Sequence, residues 1–220
     1  MAFAYLTLTE NEDEIRSMLH ESVAGMWSSA EIRRWYNLGC WKTAELLKCC
    51  KTEFDYDSVV GQSPYVLEKS FIDLKEVTYN GQPLTKINHA QKQIIFGSST
   101  PTSASSTHYL PWGKTINLYP APDTKDIPIL VYAYELPDFA SGDTAVNRLI
   151  ELCPQLWELP ILFALSRAEY KDKNSVRQTG NLKLFYDACN AAKRSLPTDE
   201  DYIDMAPAEY LDNNYKPSYF

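Results

Sequence analysis

The sequence predicts an α+β fold in which helices from both ends of the chain form a bundle packed with a small antiparallel β-sheet. Apolar residues recur at intervals of three and four over residues 10–50 and 152–195, as on one face of a helix. Residues 60–136 instead combine β-branched and aromatic residues with turn signals. We therefore expect one domain over residues 1–195, with two N-terminal helices, a β-rich insert and two C-terminal helices, and an extended tail over residues 196–220.

The composition narrows the classes of function. The 220 residues carry a net charge of −8, and 45% of them are hydrophobic. Binding to a nucleic-acid backbone needs clustered Lys and Arg, so nucleic acid is not expected as the main partner of this acidic chain. The five cysteines form no C-x-x-C motif, which indicates buried thiols made in a reducing cytoplasm. The N-terminus lacks a basic region followed by a long apolar one, so no signal peptide is predicted.

Two capping boxes mark the starts of the N-terminal helices. Thr9 precedes Glu12, and Ser28 precedes Glu31, by three residues. At this spacing the hydroxyl and the carboxylate exchange hydrogen bonds with free amides of the first turn. A short amphipathic helix should follow the first box, and a longer helix running to about Cys50 should follow the second.

The middle of the chain carries the strand signals. Asn80-Gly81 predicts a tight hairpin, because both positions of a two-residue turn need a positive φ. Pro83 lacks an amide hydrogen, so the second arm should be an edge strand or very short. Residues 91–96 and Thr115–Tyr119 are predicted as further strands. Residues 127–134 are apolar on both faces, which predicts a central strand.

Residues 152–173 form the densest apolar run and predict a buried helix. Glu158 and Pro160 interrupt this run, which is too short to span a bilayer that needs ~20 apolar residues. Pro154 suits the first turn of a helix, and Pro160 should kink it. A last helix should run to residue 196. We expect it to form a hairpin with the helix predicted over residues 152–173, and this hairpin should meet residues 32–47.

The tail combines six acidic residues with aromatic side chains. An ordinary mobile terminus is polar and poor in aromatic residues, whereas interfaces are enriched in them. Two interpretations stay open: the tail orders on a partner subunit, or it packs on its own domain or stays mobile. On the first interpretation the anchoring residues are Tyr202, Tyr210, Tyr215, Tyr219 and Phe220.

The sequence predicts no catalytic, cofactor or metal site. The three histidines are far apart, with no Cys or carboxylate at metal-ligand spacing. There is no G-x-S-x-G motif and no glycine-rich phosphate loop. We therefore expect a protein that is not an enzyme. The alternative is a small cytoplasmic hydrolase with a carboxylate site in a cleft between sheet and helices. The active site of such an enzyme would contain a buried carboxylate or histidine with a strongly perturbed pKa.

The order of these signals resembles the head–tail adaptor, or connector, proteins of tailed bacteriophages over about residues 5–195. The likeness consists of a helix start, a hairpin, a strand that ends in L-Y-P-A-P-D, a second strand and a final apolar helix. The positions that carry it are Trp27-Ser28, Glu31-Ile32, Val77, Gly81, Leu84, residues 118–123, Val131, Tyr132 or Tyr134, Pro137, Pro154, Ile161, Ala164, Arg167 and Ala168.

The resemblance implies a structural virion protein, made in the cytoplasm of a bacterial host. Such adaptors form a homo-oligomeric ring, commonly a dodecamer, beneath the phage portal protein. The ring extends the DNA exit channel and receives a tail or nozzle protein, and the genomic DNA passes without sequence-specific binding. No membrane takes part. A tail-completion or tail-terminator protein of the same channel is the alternative within this class. Candidate contacts between subunits lie at the charged end of residues 152–173: Arg167, Glu169, Lys171, Asp172 and Lys173.

Overall fold

Helices from both ends of the chain flank a β-rich middle in the computed structural model, which describes residues 7–21, 25–68, 71–99, 101–103, 105–173 and 175–196. The helices of these residues are α1 (Leu8–Met18), α2 (Ser29–Leu47), α3 (His89–Phe96), α4 (Arg148–Leu152), α5 (Glu158–Lys171) and α6 (Ser175–Ser195), with a 3₁₀ turn at Pro154–Leu156. The strands are β1 (Lys51–Asp57), β2 (Pro64–Val66), β3 (Phe71–Tyr79), β4 (Gln82–Pro83), β5 (Thr85–Lys86), β6 (Thr102–Ser103), β7 (His108–Trp112), β8 (Thr115–Tyr119), β9 (Ala121–Pro122) and β10 (Pro128–Glu135). The predicted α+β class is confirmed. No helix in the described ranges is long and apolar enough to cross a membrane.

The start of α1 differs from the prediction, whereas the predicted capping box at the start of α2 is present. Thr7 caps α1 and forms its box with Glu10, so the predicted box from Thr9 to Glu12 is wrong. Thr9 lies inside the helix, where its hydroxyl donates to Asp143 O at 2.9 Å. Both Thr–x–x–Glu pairs fit the pattern, and the contact with a distant loop decides which one caps the helix.

α5 is the centre of the helical core, because it packs against both α2 and α6. Gly39 of α2 lies against the backbone of α5, and a Cβ built on it would stand 2.7 Å from Pro160 O. Phe163 of α5 meets Phe185 of α6 with ring centroids 5.4 Å apart. The predicted hairpin of the last two helices against the second N-terminal helix is therefore confirmed.

Residues 152–173 do not form one kinked helix, so this part of the prediction is wrong. α4 ends at Leu152, Pro154 opens the 3₁₀ turn, and α5 begins at Glu158. Pro160 therefore lies in the first turn of α5. An amide there has no partner within the helix, so proline removes no bond and causes no kink.

The β-rich region forms three sheets instead of the single antiparallel sheet predicted. The first is antiparallel in the order β1-β10-β3-β4, with β10 in its interior as predicted. The hairpin between β3 and β4 is confirmed, with positive φ at Asn80 and Gly81. The second sheet has the order β2-β8-β7-β5, and its β5–β7 pair is parallel. A short parallel pair of β6 and β9 completes the region.

The two four-stranded sheets pack face to face as a sandwich with its own apolar core. Val77, Ile129 and Val131 of the first sheet and Ile116 and Leu118 of the second are fully buried in one cluster. The helical core is a separate cluster around α2, α5 and α6. The chain thus builds two cores, one from helices and one from strands.

Residues 91–96 lie in helix α3, so the predicted strand there is wrong. Asn88 caps this helix in a capping box with Gln91. Phe96 at the other end stacks on Tyr119 of β8, with ring centroids 5.6 Å apart. A short apolar run is ambiguous between strand and helix, and here the cap decides for the helix.

Asn37 ties α2 to the loop that joins β10 to α4. Its side chain is buried and exchanges two hydrogen bonds with the backbone of Ala140, at 2.9 and 3.1 Å. The same Asn37 oxygen accepts a bond from Asn147, which caps α4. One amide therefore fixes the loop, the start of α4 and the middle of α2 together.

Candidate interaction surfaces

The outer face of α6 exposes apolar side chains. Val176 is 82% exposed and Leu184 is 55% exposed, and they lie on one face with Gly180 halfway between them. The buried side of the helix is formed by Phe185 and Cys189. Large aliphatic side chains with this exposure on a helix face suit a contact with another protein.

No contact among the described residues requires a glycine at position 180. A Cβ built on it would meet nothing within 4 Å, and it has ordinary helical φ. Glycine inside a helix costs ~1 kcal/mol relative to alanine. Gly39 shows the opposite case, since its missing Cβ admits the backbone of Pro160. The small residue at Gly180 therefore fits the close approach of a partner backbone from outside.

The helix α6 as a whole is also basic. The helix contains one acidic residue, Asp187, and four basic residues: Arg177, Lys183, Lys193 and Arg194. The chain as a whole carries a charge of −8, so this helix has the sign opposite to most of the molecule. Acidic side chains concentrate elsewhere, for example on the edge strand β1, where Glu53, Asp55 and Asp57 are exposed at alternate positions.

A groove opens between α2, α5 and the start of β3. Its volume is about 450 Å³, within the range of pockets that hold small ligands. Its aromatic walls are Trp41, Phe71 and Phe163. The remaining lining residues are Leu38, Lys42, Glu45, Ile72, Leu136 and Arg167. We refer to this feature as the α2–α5 groove.

The polar groups of the α2–α5 groove differ in their pairing. Lys42 and Glu45 form an ion pair at 2.9 Å. Arg167 is exposed and lies over the ring of Phe163, with its guanidinium carbon 5.0 Å from the centroid. Among the described residues no carboxylate lies within ion-pair distance of Arg167. The groove thus offers apolar walls beside an available cation.

The predicted contact residues at the end of α5 fall into two groups. Arg167, Asp172 and Lys173 are exposed. Glu169 is only 8% exposed and lies 3.9 Å from the guanidinium of Arg177. The structure thus brings Glu169 to α6 within the chain, and contacts of all five residues with another subunit stay a prediction.

Lys171 is already engaged at the junction of α5 and α2. Its ammonium group donates to both oxygens of Glu31, at 2.8 and 3.0 Å, and to Met26 O at 3.2 Å. The hydrogen bond from Lys171, together with those from the backbone and side chain of Ser28, lowers the pKa of Glu31 to about 2. This pair joins the start of α2 to the end of α5.

A buried ion network holds α1 against α2. Glu12 is 6% exposed and accepts hydrogen bonds from Arg16 at 3.0 Å and from Arg33 of α2 at 2.7 Å. Desolvation acts to raise the pKa of Glu12, but hydrogen bonds from Ser29, Arg33 and Arg16 together outweigh it and hold the pKa below its usual value. This network was not predicted, because Arg33 lies 21 positions from Glu12 in the sequence.

The sandwich has an exposed apolar region of its own. Ile94 of α3 is 84% exposed, and Trp112 at the end of β7 is 62% exposed. The ring of His89 meets Trp112 edge-on at 4.6 Å, so α3 and this strand end are joined. The region lies on a different element from the α6 face and offers a second surface for a partner.

The predicted anchoring residues of the tail, from Tyr202 to Phe220, lie outside the described residues.

The hydrolase alternative predicts a buried carboxylate or histidine with a perturbed pKa in a cleft, and the α2–α5 groove is a cleft between helices and a strand. Its lining contains no histidine, and its one carboxylate, Glu45, is exposed and paired. The described residues also contain no group of three His, Cys, Asp or Glu side chains that could hold a metal ion.

The chain has exposed apolar faces, a basic helix on an acidic molecule and an open groove. These features are typical of a protein that works through contacts with other proteins. The chain belongs to the SU10 adaptor protein family, whose family model matches residues 7–209. This is a family of phage head–tail adaptors, so the resemblance stated from the sequence is confirmed. Membership makes the chain a virion component that interacts with other phage head and tail proteins. Among curated proteins, none matches the chain.

Proposed function

We propose that the chain is a non-enzymatic subunit of a homo-oligomeric ring between the portal and the tail of a phage. The ring, a dodecamer as expected from the resemblance, extends the DNA exit channel. Its partners are the portal protein on the head side and a tail or nozzle protein on the other side. Membership of a head–tail adaptor family supports the proposal.

The exposed face of α6 is the proposed contact between neighbouring copies. The observation that carries this assignment is Gly180, a helix-interior glycine between exposed Val176 and Leu184 that no contact of the described chain requires. A neighbouring copy also has the complementary charge, because the chain is acidic whereas α6 is basic. A contact between two different surfaces of identical copies closes into a ring when the rotation between copies allows it.

The charge of the chain also fits a channel through which DNA moves. A net charge of −8 on each copy repels phosphate and keeps the passing genome from sticking to the wall. The basic residues of α6 would be covered by the neighbouring copy. DNA then passes without sequence-specific binding.

Co-expression with the portal protein tests the proposal. The full chain should co-purify with portal rings, and electron microscopy should show a second ring of closed rotational symmetry stacked on the portal. The absence of binding to the portal, or binding of isolated copies without a ring, would refute the proposal.

Two matched variants test the α6 assignment in the same experiment. Leu184→Glu places a charge in the proposed contact and should abolish the second ring while leaving the helical content of the chain unchanged. Val60→Glu is the control, because it changes an aliphatic residue of similar exposure, 58%, in the loop between β1 and β2, outside both exposed apolar surfaces. Equal effects of the two variants on ring formation would contradict the assignment to α6.

A further inference from the structure

The tail carries a repeated motif that matches the α2–α5 groove in chemistry. Residues 201–204 read Asp-Tyr-Ile-Asp, and residues 209–212 read Glu-Tyr-Leu-Asp. Each copy is an acid, a tyrosine, an aliphatic residue and an aspartate. An aromatic ring flanked by carboxylates is complementary to an apolar groove with an available arginine at its mouth.

We propose that the α2–α5 groove binds the C-terminal segment of this chain through one of these two motifs. The tyrosine ring and its aliphatic neighbour occupy the space between Trp41, Phe71 and Phe163. A carboxylate of the motif pairs with Arg167, which has no ion-pair partner among the described residues. The inference concerns the chain alone and does not depend on the portal.

Arg167 is prepared for this role by its position. The guanidinium lies 5.0 Å from the ring centroid of Phe163, which is itself buried in the helical core. The stack holds the guanidinium at the edge of the groove and leaves its donors available. Arg is the residue best suited to a carboxylate, which it binds through two parallel hydrogen bonds.

The chain is long enough to bring either motif to the groove. α6 is antiparallel to α5, and Phe185 lies beside Phe163. The helix therefore ends about 16 Å beyond the level of Phe163, at a rise of about 1.5 Å per residue. From Leu196 an extended chain reaches about 20 Å at Tyr202 and about 46 Å at Tyr210, at about 3.3 Å per residue. Along the helix axis the first motif can therefore reach the level of Phe163, and the second has about 26 Å of further reach.

Hydrogen–deuterium exchange of the full-length chain, followed by mass spectrometry, tests the proposal. Amides of one motif should exchange ~10-fold more slowly than in an unstructured peptide, for an effective concentration on the order of 1 mM and an intrinsic affinity of about 0.1 mM. Arg167→Glu should remove this protection. Arg34→Glu is the matched control, since Arg34 is an exposed arginine of α2 outside the groove lining.

A charge exchange makes the test specific. Combining Arg167→Glu with Asp204→Lys or Asp212→Lys should restore protection for the motif that binds and for no other. Mixing the Arg167→Glu chain with a chain whose tyrosines at 202 and 210 are alanine separates binding within a chain from binding between copies, because only the latter restores protection.

Two results would overturn the proposal. One is exchange of the whole C-terminal segment at the rate of an unstructured peptide in the unmodified chain. The other is protection that Arg167→Glu leaves unchanged. The size of the assembly in each sample, measured by light scattering, separates these outcomes from a failure of ring formation.

Discussion

Two glycines in helices should respond to the same substitution with opposite signs. Gly39 of α2 faces the backbone of α5, and a Cβ built there would lie 2.7 Å from Pro160 O and 2.8 Å from Pro160 Cα. Gly180 of α6 faces open space, where an added Cβ meets nothing within 4 Å. Alanine at either position adds one methyl group and removes the entropic cost of a helical glycine.

The magnitudes follow from these distances. Alanine gains ~1 kcal/mol of helix propensity over glycine at both sites. At Gly39 the methyl group meets backbone atoms that cannot rotate away, and overpacking of this kind costs up to ~3 kcal/mol. Gly39→Ala should therefore lower the free energy of unfolding by about 2 kcal/mol, while Gly180→Ala raises it by up to ~1 kcal/mol. For a chain of this size, the midpoint of thermal unfolding should fall by about 4 to 8 °C in Gly39→Ala and rise by about 2 to 4 °C in Gly180→Ala.

Urea unfolding followed by circular dichroism, at concentrations where the chain is monomeric, measures both changes. The slope of the free energy with urea should stay constant, so that the midpoints report stability. The reasoning is refuted if Gly39→Ala is neutral or stabilising, or if Gly180→Ala is destabilising. In the co-expression experiment Gly180→Ala should weaken the ring although the single chain is more stable. That combination separates a contact between copies from a folding defect.

Three further predictions concern charges and thiols. Glu31→Gln should make the free energy of unfolding less dependent on pH in acid. In the unmodified chain the lowered pKa of Glu31 stabilises the folded state at pH values above its ordinary pKa of 4.5, and this stabilisation is lost as the pH falls towards about 2. Thermal unfolding between pH 2 and 5 measures it, and an unchanged limb would contradict the role of the Lys171 contact. Glu12→Gln should cost ~3 kcal/mol in urea unfolding at pH 7, because the buried Arg16 loses a partner; a loss below ~1 kcal/mol would show that Glu21 alone satisfies it. Burial raises the pKa of the Cys189 thiol to about 12, and the four buried thiols of the native chain should react slowly with a thiol reagent at pH 8 and become reactive only in urea. Rapid reaction of these four thiols in the native chain would contradict their burial.

Local patterns predicted the elements whose signals lie within a few residues. The hairpin at Asn80-Gly81, the central strand β10 and the packing of the last two helices on α2 follow from turn chemistry and periodicity. The choice between Thr7 and Thr9 as the helix cap could not be made locally, because Asp143 decides it from across the chain. α3 was missed because a short apolar run fits strand and helix alike, although the Asn88 capping box was present.

The interaction surfaces were harder to predict than the fold. Arg167 was expected to take part in subunit contacts, but its place over Phe163 and beside Trp41 and Phe71 depends on three elements far apart in sequence. The outer face of α6 was also missed. Its periodicity marks the buried side, whereas the meaning of Gly180 appears only when the space around it is known.

The chain passes from the helical unit into the β-sandwich through β1 and returns through β10, and these two strands are neighbours in one sheet. Lys51 at the start of β1 pairs with Tyr134 near the end of β10, and Glu135 N donates to Cys50 O at 2.8 Å. The two ends of this 85-residue segment, residues 51–135, are thus paired with each other beside the helices. Lengthening a loop at the far end of the sandwich costs only ~0.6 kcal/mol per doubling. A protein built on this plan can therefore change its strand module while the helical unit keeps its own geometry.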